Sequence, residues 1–197
     1  MDFNKYAKHR RLWAQTGVSY QQKEVEKSFN EALSILGEPD CTDDAVFITC
    51  RLKGKSDWIT AHSAVFALEW KLCKHFWKKK GKKMLISGTA PFVSCIEHNE
   101  QRIKDHIHAV LRLKDLKKFY TRLQIEKDIY TIARSLDEVN SNVPDSVRVR
   151  IFPFCDKTEE QAREVGNTIE YICKTSSKHC KPLLRDRTLL SRTKRLL

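Results

Sequence analysis

Apolar and polar residues along the chain switch between the period of a strand and the period of a helix. From Asp105 to Leu113, Ile107, Ala109, Leu111 and Leu113 fall on one side, and His106, His108, Val110 and Arg112 on the other. That alternation predicts a strand with one face made for a core and one for chemistry. Ala45 to Leu52, Phe92 to Glu97 and Val147 to Phe152 are rich in β-formers and predict three more strands. The polar stretch Asn99 to Lys104 predicts a hairpin turn, which makes the second strand and the histidine strand antiparallel neighbours.

Helical patterns fill the intervals. Ala61, Val65, Leu68, Leu72 and Phe76 recur every three or four residues in a segment that Asp57 can cap and that ends in Lys78-Lys79-Lys80-Gly81. Leu116 to Leu136 has a helical composition, Pro144 closes a polar linker, and a last helix runs from Thr158 to Lys174. Two polar, helix-prone stretches, Tyr6 to Trp13 and Ser19 to Leu36, precede the first strand and end at Gly37 and Pro39. The order strand, helix, strand, strand, helix, strand, helix predicts an α+β fold, a ferredoxin-like split βαβ with a C-terminal helix added. Its expected organisation is a helical extension over residues 1–42 that looks like an appendage, a main domain over 43–178 and a basic tail over 179–197.

Composition narrows the setting. A length of 197 residues with 41% hydrophobic content suits one domain with a proper core, and there is no internal repeat or low-complexity segment. Seven widely spaced cysteines favour free thiols in a reducing compartment over a disulfide framework. No apolar run approaches membrane-spanning length, and Met1 to Tyr6 lacks a secretory segment, so the expectation is a cytoplasmic protein, or a nuclear one in a eukaryotic host, with no membrane partner. Thirty-seven Lys and Arg against 25 Asp and Glu give a net charge of +12, concentrated at Lys78 to Lys83 and Lys181 to Arg195. A polyanion is the implied partner, the plainer alternative being solubility and helix-end charge.

Three positions carry candidate metal chemistry. A strand aims His106 and His108 at one side, where both imidazoles can reach one ion. Glu97, on the opposite side of its strand from Phe92, Ser94 and Ile96, projects to the same face if those three enter the core; His98 and Glu100 stand nearby as substitutes. Two imidazoles and a carboxylate leave coordination positions for a substrate oxygen. The ordinary alternatives are surface histidines and a solvated strand end.

Tyr171 is the candidate nucleophile. Ala162, Val165, Ile169, Ile172 and Cys173 form the apolar stripe of the last helix, and Tyr171 falls nearly opposite its centre, with Asn167 and Lys174 on its own face. Tyr120 and Tyr130, among Phe119, Leu123, Ile129 and Ile132, belong to a helix that looks core-facing and are taken as structural. Cys173, His179 and Cys180 lack the second pair that a structural zinc site needs.

Together these residues resemble the HUH endonucleases, named for a His-hydrophobe-His strand, and within them the rolling-circle replication initiators (Rep proteins) of plasmids and single-stranded DNA viruses. His106-Ile107-His108 matches the metal motif, Tyr171-Ile172-Cys173-Lys174 the Tyr-X-X-Lys motif, and Phe47-Ile48-Thr49-Cys50 the looser first-strand motif. The resemblance spans about residues 43–178. A tyrosine placed after the histidines resembles Rep proteins and small transposases rather than relaxases. It implies Mg²⁺ or Mn²⁺ held by His106, His108 and Glu97, attack by Tyr171 on single-stranded DNA at a replication origin, and a 5′-phosphotyrosine intermediate. Lys174 would lower the phenol's pKa or neutralise the phosphate. A separate helicase and a host polymerase are implied partners, since no helicase domain follows the tyrosine helix. The alternatives are a non-catalytic ferredoxin-like nucleic-acid-binding module, or a single-strand transposase or mobilisation enzyme of the same superfamily.

Overall fold

A computed structural model of the protein describes residues 19–53, 58–97, 105–173 and 180–183. Its strands are β1 (Asp44–Arg51), β2 (Phe92–Glu97), β3 (His106–Arg112), β4 (Val147–Pro153) and β5 (Cys180–Leu183), and its helices α1 (Ser19–Leu36), α2 (Trp58–Ser87), α3 (Arg122–Arg134) and α4 (Glu159–Cys173). The strands form one sheet in the order β4-β1-β3-β2-β5, every neighbouring pair antiparallel. Two βαβ units therefore interlock: β3 lies between β1 and β2, and β1 lies between β3 and β4. The chain is α+β, with the four expected strands as the expected neighbours.

The period of two along β1 and β3 decides which side each residue joins. Val46, Ile48 and Cys50 of β1 and Ile107, Ala109 and Leu111 of β3 pack against Leu68 and Leu72 of α2 and Ile125, Ile129 and Ala133 of α3. On the other side, Ala45, Val93, Cys95, Val110 and Phe152 meet Phe29, Leu33 and Leu36 of α1 and Val165, Ile169 and Ile172 of α4. Burying each large aliphatic side chain contributes about 1.5–3 kcal/mol, so both faces of the sheet carry the fold. Two expectations change here. The extension is not an appendage, because α1 repeats its apolar residues at helical spacing and closes the second core. Nor is the histidine face of β3 given wholly to chemistry, since Val110 is fully buried in that core and Arg112 is 6% exposed.

The helix ends follow local chemistry. Gly37 adopts φ +80° and its N–H donates to Leu33 O at 2.7 Å, a left-handed cap that ends α1. Thr158 and Gln161 start α4 as a reciprocal box, the Gln161 N–H donating to Thr158 Oγ1 and the Thr158 N–H to Gln161 Oε1, each at 3.2 Å. Thr121 caps α3 by accepting from the Gln124 N–H. The continuous helix expected from Leu116 to Leu136 is thereby split into a 3-10 turn at Leu116–Lys118 and α3. Phe119 and Leu123 are 77% and 76% exposed, outside the core-facing side expected for them. Tyr120 and Tyr130 do pack against the first core.

Beyond the predicted end at Gly81, α2 continues after a break. Lys78 leaves helical geometry at φ 50°, and the turns after it come so close to the first part that a Cβ on Gly81 would lie 2.0 Å from the Cys73 carbonyl oxygen. Two further features were not expected. Cys180–Leu183, assigned from sequence to the tail, pairs with β2 as a fifth strand. Cys41 and Cys155 form a disulfide, because the segments before β1 and after β4 run side by side, with the Asp40 N–H donating to Phe154 O. Cys50, Cys73, Cys95 and Cys173 are free and buried, and burial raises the thiols of Cys50 and Cys173 to about 12. Among the described residues, no helix is long and apolar enough to cross a membrane.

Candidate active site

The ends of β1 and β2, the starts of β3 and β4 and the last turn of α4 meet at one end of the sheet. The registers set the site's frame: His108 stands between Thr49 on β1 and Cys95 on β2, and His106 between Arg51 and Glu97. A long side chain also reaches its diagonal neighbour across a pair of strands. Glu97 does so, and its Oε2 lies 2.8 Å from His108 Nε2. The other ring nitrogen of His108, Nδ1, lies 3.1 Å from Thr49 Oγ1.

His108 is 5% exposed. Burial lowers its pKa, against the hydrogen bond and charge of Glu97, which raise it. The imidazole is therefore neutral at physiological pH and carries one N–H. If that proton sits on Nε2, it is donated to Glu97. If it sits on Nδ1, it is donated to Thr49, and the Nε2 lone pair then faces a carboxylate oxygen at 2.8 Å, an arrangement that calls for a cation between them. Two ligands at right angles around one hard divalent ion, each about 2.1 Å from it, are about 3 Å apart. The donor atoms of Glu97 and His108 have that spacing.

His106 and His108 lie with rings nearly parallel, 6.1 Å between centroids. Among the described residues, no three His, Cys, Asp or Glu side chains are drawn into one metal-ligating group. Glu97 and His108 are in contact, and His106 stands beside them on the same strand. The donor set and the Glu97–His108 spacing fit a divalent ion. His98 and Glu100, the alternative carboxylate-side ligands, lie outside the described residues, as does Lys174.

Tyr171 joins this group from α4. Off the apolar stripe, it is 43% exposed and turns its ring edge-on to His108, with centroids 5.1 Å apart, and edge-on to Phe47 at 5.8 Å. Glu97, His108 and Tyr171, from three elements and 74 positions of chain, thus come within one cluster. Beside it opens a cleft of about 410 Å³ between β4 and α4, lined by Phe47, Thr49, Arg148, Arg150, Asn167 and Thr168 among others.

Thr49, named from the sequence only within the first-strand motif, and Arg148 were not assigned to the site. The signal was nonetheless present: Phe47 and Thr49 alternate with Ile48 and Cys50, which puts them on the histidine side once β1 and β3 are paired. That pairing is tertiary information. Phe47 also lies parallel to the His108 ring, with 5.8 Å between centroids. No protein-family model, no curated protein and no solved structure matches the chain.

Proposed function

We propose that the protein is a metal-dependent single-stranded DNA nicking and joining enzyme of the HUH type, acting as a rolling-circle replication initiator. The observation that carries this reading is the meeting of Tyr171 with His108, and of His108 with Glu97, at one end of the sheet. The interlocked strand order suits it, being that of the ferredoxin-like arrangement such enzymes use. The net charge of +12 suits a polyanionic substrate.

Glu97, His108 and His106 would hold Mg²⁺ or Mn²⁺. Bound there, the ion supplies Lewis-acid stabilisation of charge on the oxygens of the scissile phosphate. Thr49 fixes the His108 ring through Nδ1, as outer hydrogen bonds orient metal-binding histidines. The Tyr171 hydroxyl oxygen attacks phosphorus, forming the phenolic O–P bond as the P–O3′ bond breaks. The phenol loses its proton, and the departing 3′-oxygen gains one as a 3′-hydroxyl. The 5′-phosphotyrosine preserves a phosphodiester, so a later 3′-hydroxyl can rejoin the strand by the reverse attack. Lys174 follows Tyr171 by three residues and belongs to the same proposal, with Tyr171 as the catalytic residue. Origin DNA, a helicase activity and a host polymerase are what this activity would work with.

Incubation with single-stranded DNA and Mn²⁺ should give a covalent protein–DNA adduct that survives denaturation, disappears with EDTA and is absent in Tyr171→Phe. An adduct that persists in Tyr171→Phe sinks the assignment. Thermal stability raised by RNA and unmoved by Mn²⁺ would favour the non-catalytic binding module instead.

A further inference from the structure

The cleft between β4 and α4 contains groups that the nicking step itself does not use. Asn167 precedes Tyr171 by one helical turn on the same face of α4 and lines the cleft. Its Oδ1 is buried and, among the described residues, has no hydrogen-bond partner. Buried amide oxygens are nearly always satisfied, so an unsatisfied one on a residue that lines the cleft points to a donor brought by a ligand.

The opposite wall separates two arginines by their partners. Arg150 is fixed in place: it donates to Thr168 Oγ1 at 2.9 Å, pairs with Glu164 at 3.5 Å, and lies over the rings of Phe47 and Phe152. Arg148, two residues earlier on the same face of β4, has among the described residues only a long contact of 4.0 Å with Asp145, between side chains that are 74% and 76% exposed. Such a pair holds an arginine weakly and leaves it available to an anion. In the register, Arg148 is the cross-strand partner of Thr49, which in turn bonds His108. The cleft therefore runs from the His108–Tyr171 cluster towards a loosely held cation. At about 410 Å³ it lies in the range of small-molecule pockets and suits one unpaired nucleotide rather than a base pair.

We propose that this cleft is the subsite for the nucleotide adjoining the scissile phosphate, with Asn167 reading the edge of its base and Arg148 holding the neighbouring phosphate. The proposal rests on the nicking function above. An asparagine amide offers one acceptor and two donors in a plane and so discriminates between bases, whereas an arginine on a phosphate binds every sequence alike. Asn167 is thus a specificity-determining residue and Arg148 a general one.

The test uses the Tyr171→Phe chain in EDTA, where no chemistry occurs, titrated with homopentamers of deoxyadenosine, deoxycytidine, deoxyguanosine and thymidine while the Asn167 side-chain amide is followed by NMR. At least one pentamer should move that amide, with a preference among bases of about fivefold or more in Kd. Asn167→Ala should flatten the preference, and the isosteric Asn167→Asp should change which base is favoured. Arg148→Ala should weaken all four pentamers to a similar degree. An Asn167 amide that no pentamer moves, one that inorganic phosphate moves equally, or a preference that survives Asn167→Ala would each overturn the subsite. Wild-type adduct formation with Mn²⁺ separates the two ideas: an adduct with a silent Asn167 removes the subsite alone, and a responsive Asn167 without an adduct removes the nicking function while keeping a base-binding cleft.

Discussion

β3 carries a basic or titratable residue towards each end of one face, and the two ends have opposite fates. At one end, Arg112 is sealed beneath α1. It donates from Nε to Asp43 Oδ2 at 3.0 Å and from Nη1 to Leu36 O at 2.9 Å, and lies over the Phe154 ring. Gly37 is what lets the helix end come this close, since a Cβ there would stand 2.7 Å from Arg112 Nη1. At the other end, His108 is equally buried but faces a carboxylate and a half-exposed tyrosine that lines an open cleft. A polar residue under a closed lid acts as structure. A polar residue with a neighbour that solvent and substrate can reach acts as chemistry.

Four outcomes break or sharpen that contrast, the largest first. Tyr171→Phe removes only the hydroxyl and should lower adduct formation on the order of 10⁴-fold or more, read on denaturing gels, with an unchanged unfolding midpoint. Arg112→Ala should act on the other axis, leaving Asp43 buried without its partner at a cost of about 3–5 kcal/mol in urea unfolding. The molecules still folded should nick at the wild-type rate, and a selective loss of nicking would show that the sealed end is part of the site. Thr49→Val keeps the shape and deletes the bond to His108 Nδ1; Mn²⁺ affinity by calorimetry should fall about 10–100-fold. Thr49→Ser should restore it.

The smallest effect is the pH dependence of stability in EDTA. His108 has its pKa lowered in the folded protein relative to 6.5. Between the folded and unfolded values the unfolded chain binds more protons, so stability is full above about pH 6.5 and declines as pH falls through the folded value. Urea midpoints from pH 8 to pH 5 should trace that loss, and His108→Phe should reduce it.

Much of the architecture was legible because it repeats locally. The four expected strands and their order along the chain followed from alternation at β3 and β4 and from β-forming composition at β1, and Tyr171 was visible as the residue off its helix's stripe. Other features had no local signal. The alternation of β3 treated His108 and Arg112 alike, although α1 covers one and α4 ends beside the other. The apolar spacing of Phe29, Leu33 and Leu36 spoke for an amphipathic helix without saying which surface it would cover. Leu116 to Leu136 looked continuous because composition outweighed the cap at Thr121, and the pairing of Cys41 with Cys155 depended on β1 and β4 being neighbours.

By itself the sequence determined periodicity, and with it which residues share a side of a strand or helix, because that geometry is set within a few residues of backbone. The strand registers, the closure of one end of the sheet by α1 and the approach of Thr49, Glu97 and Tyr171 to His108 were decided by the tertiary structure. These contacts join segments separated by 11 to 63 positions, and only the packing of both faces of the sheet fixes which of them meet.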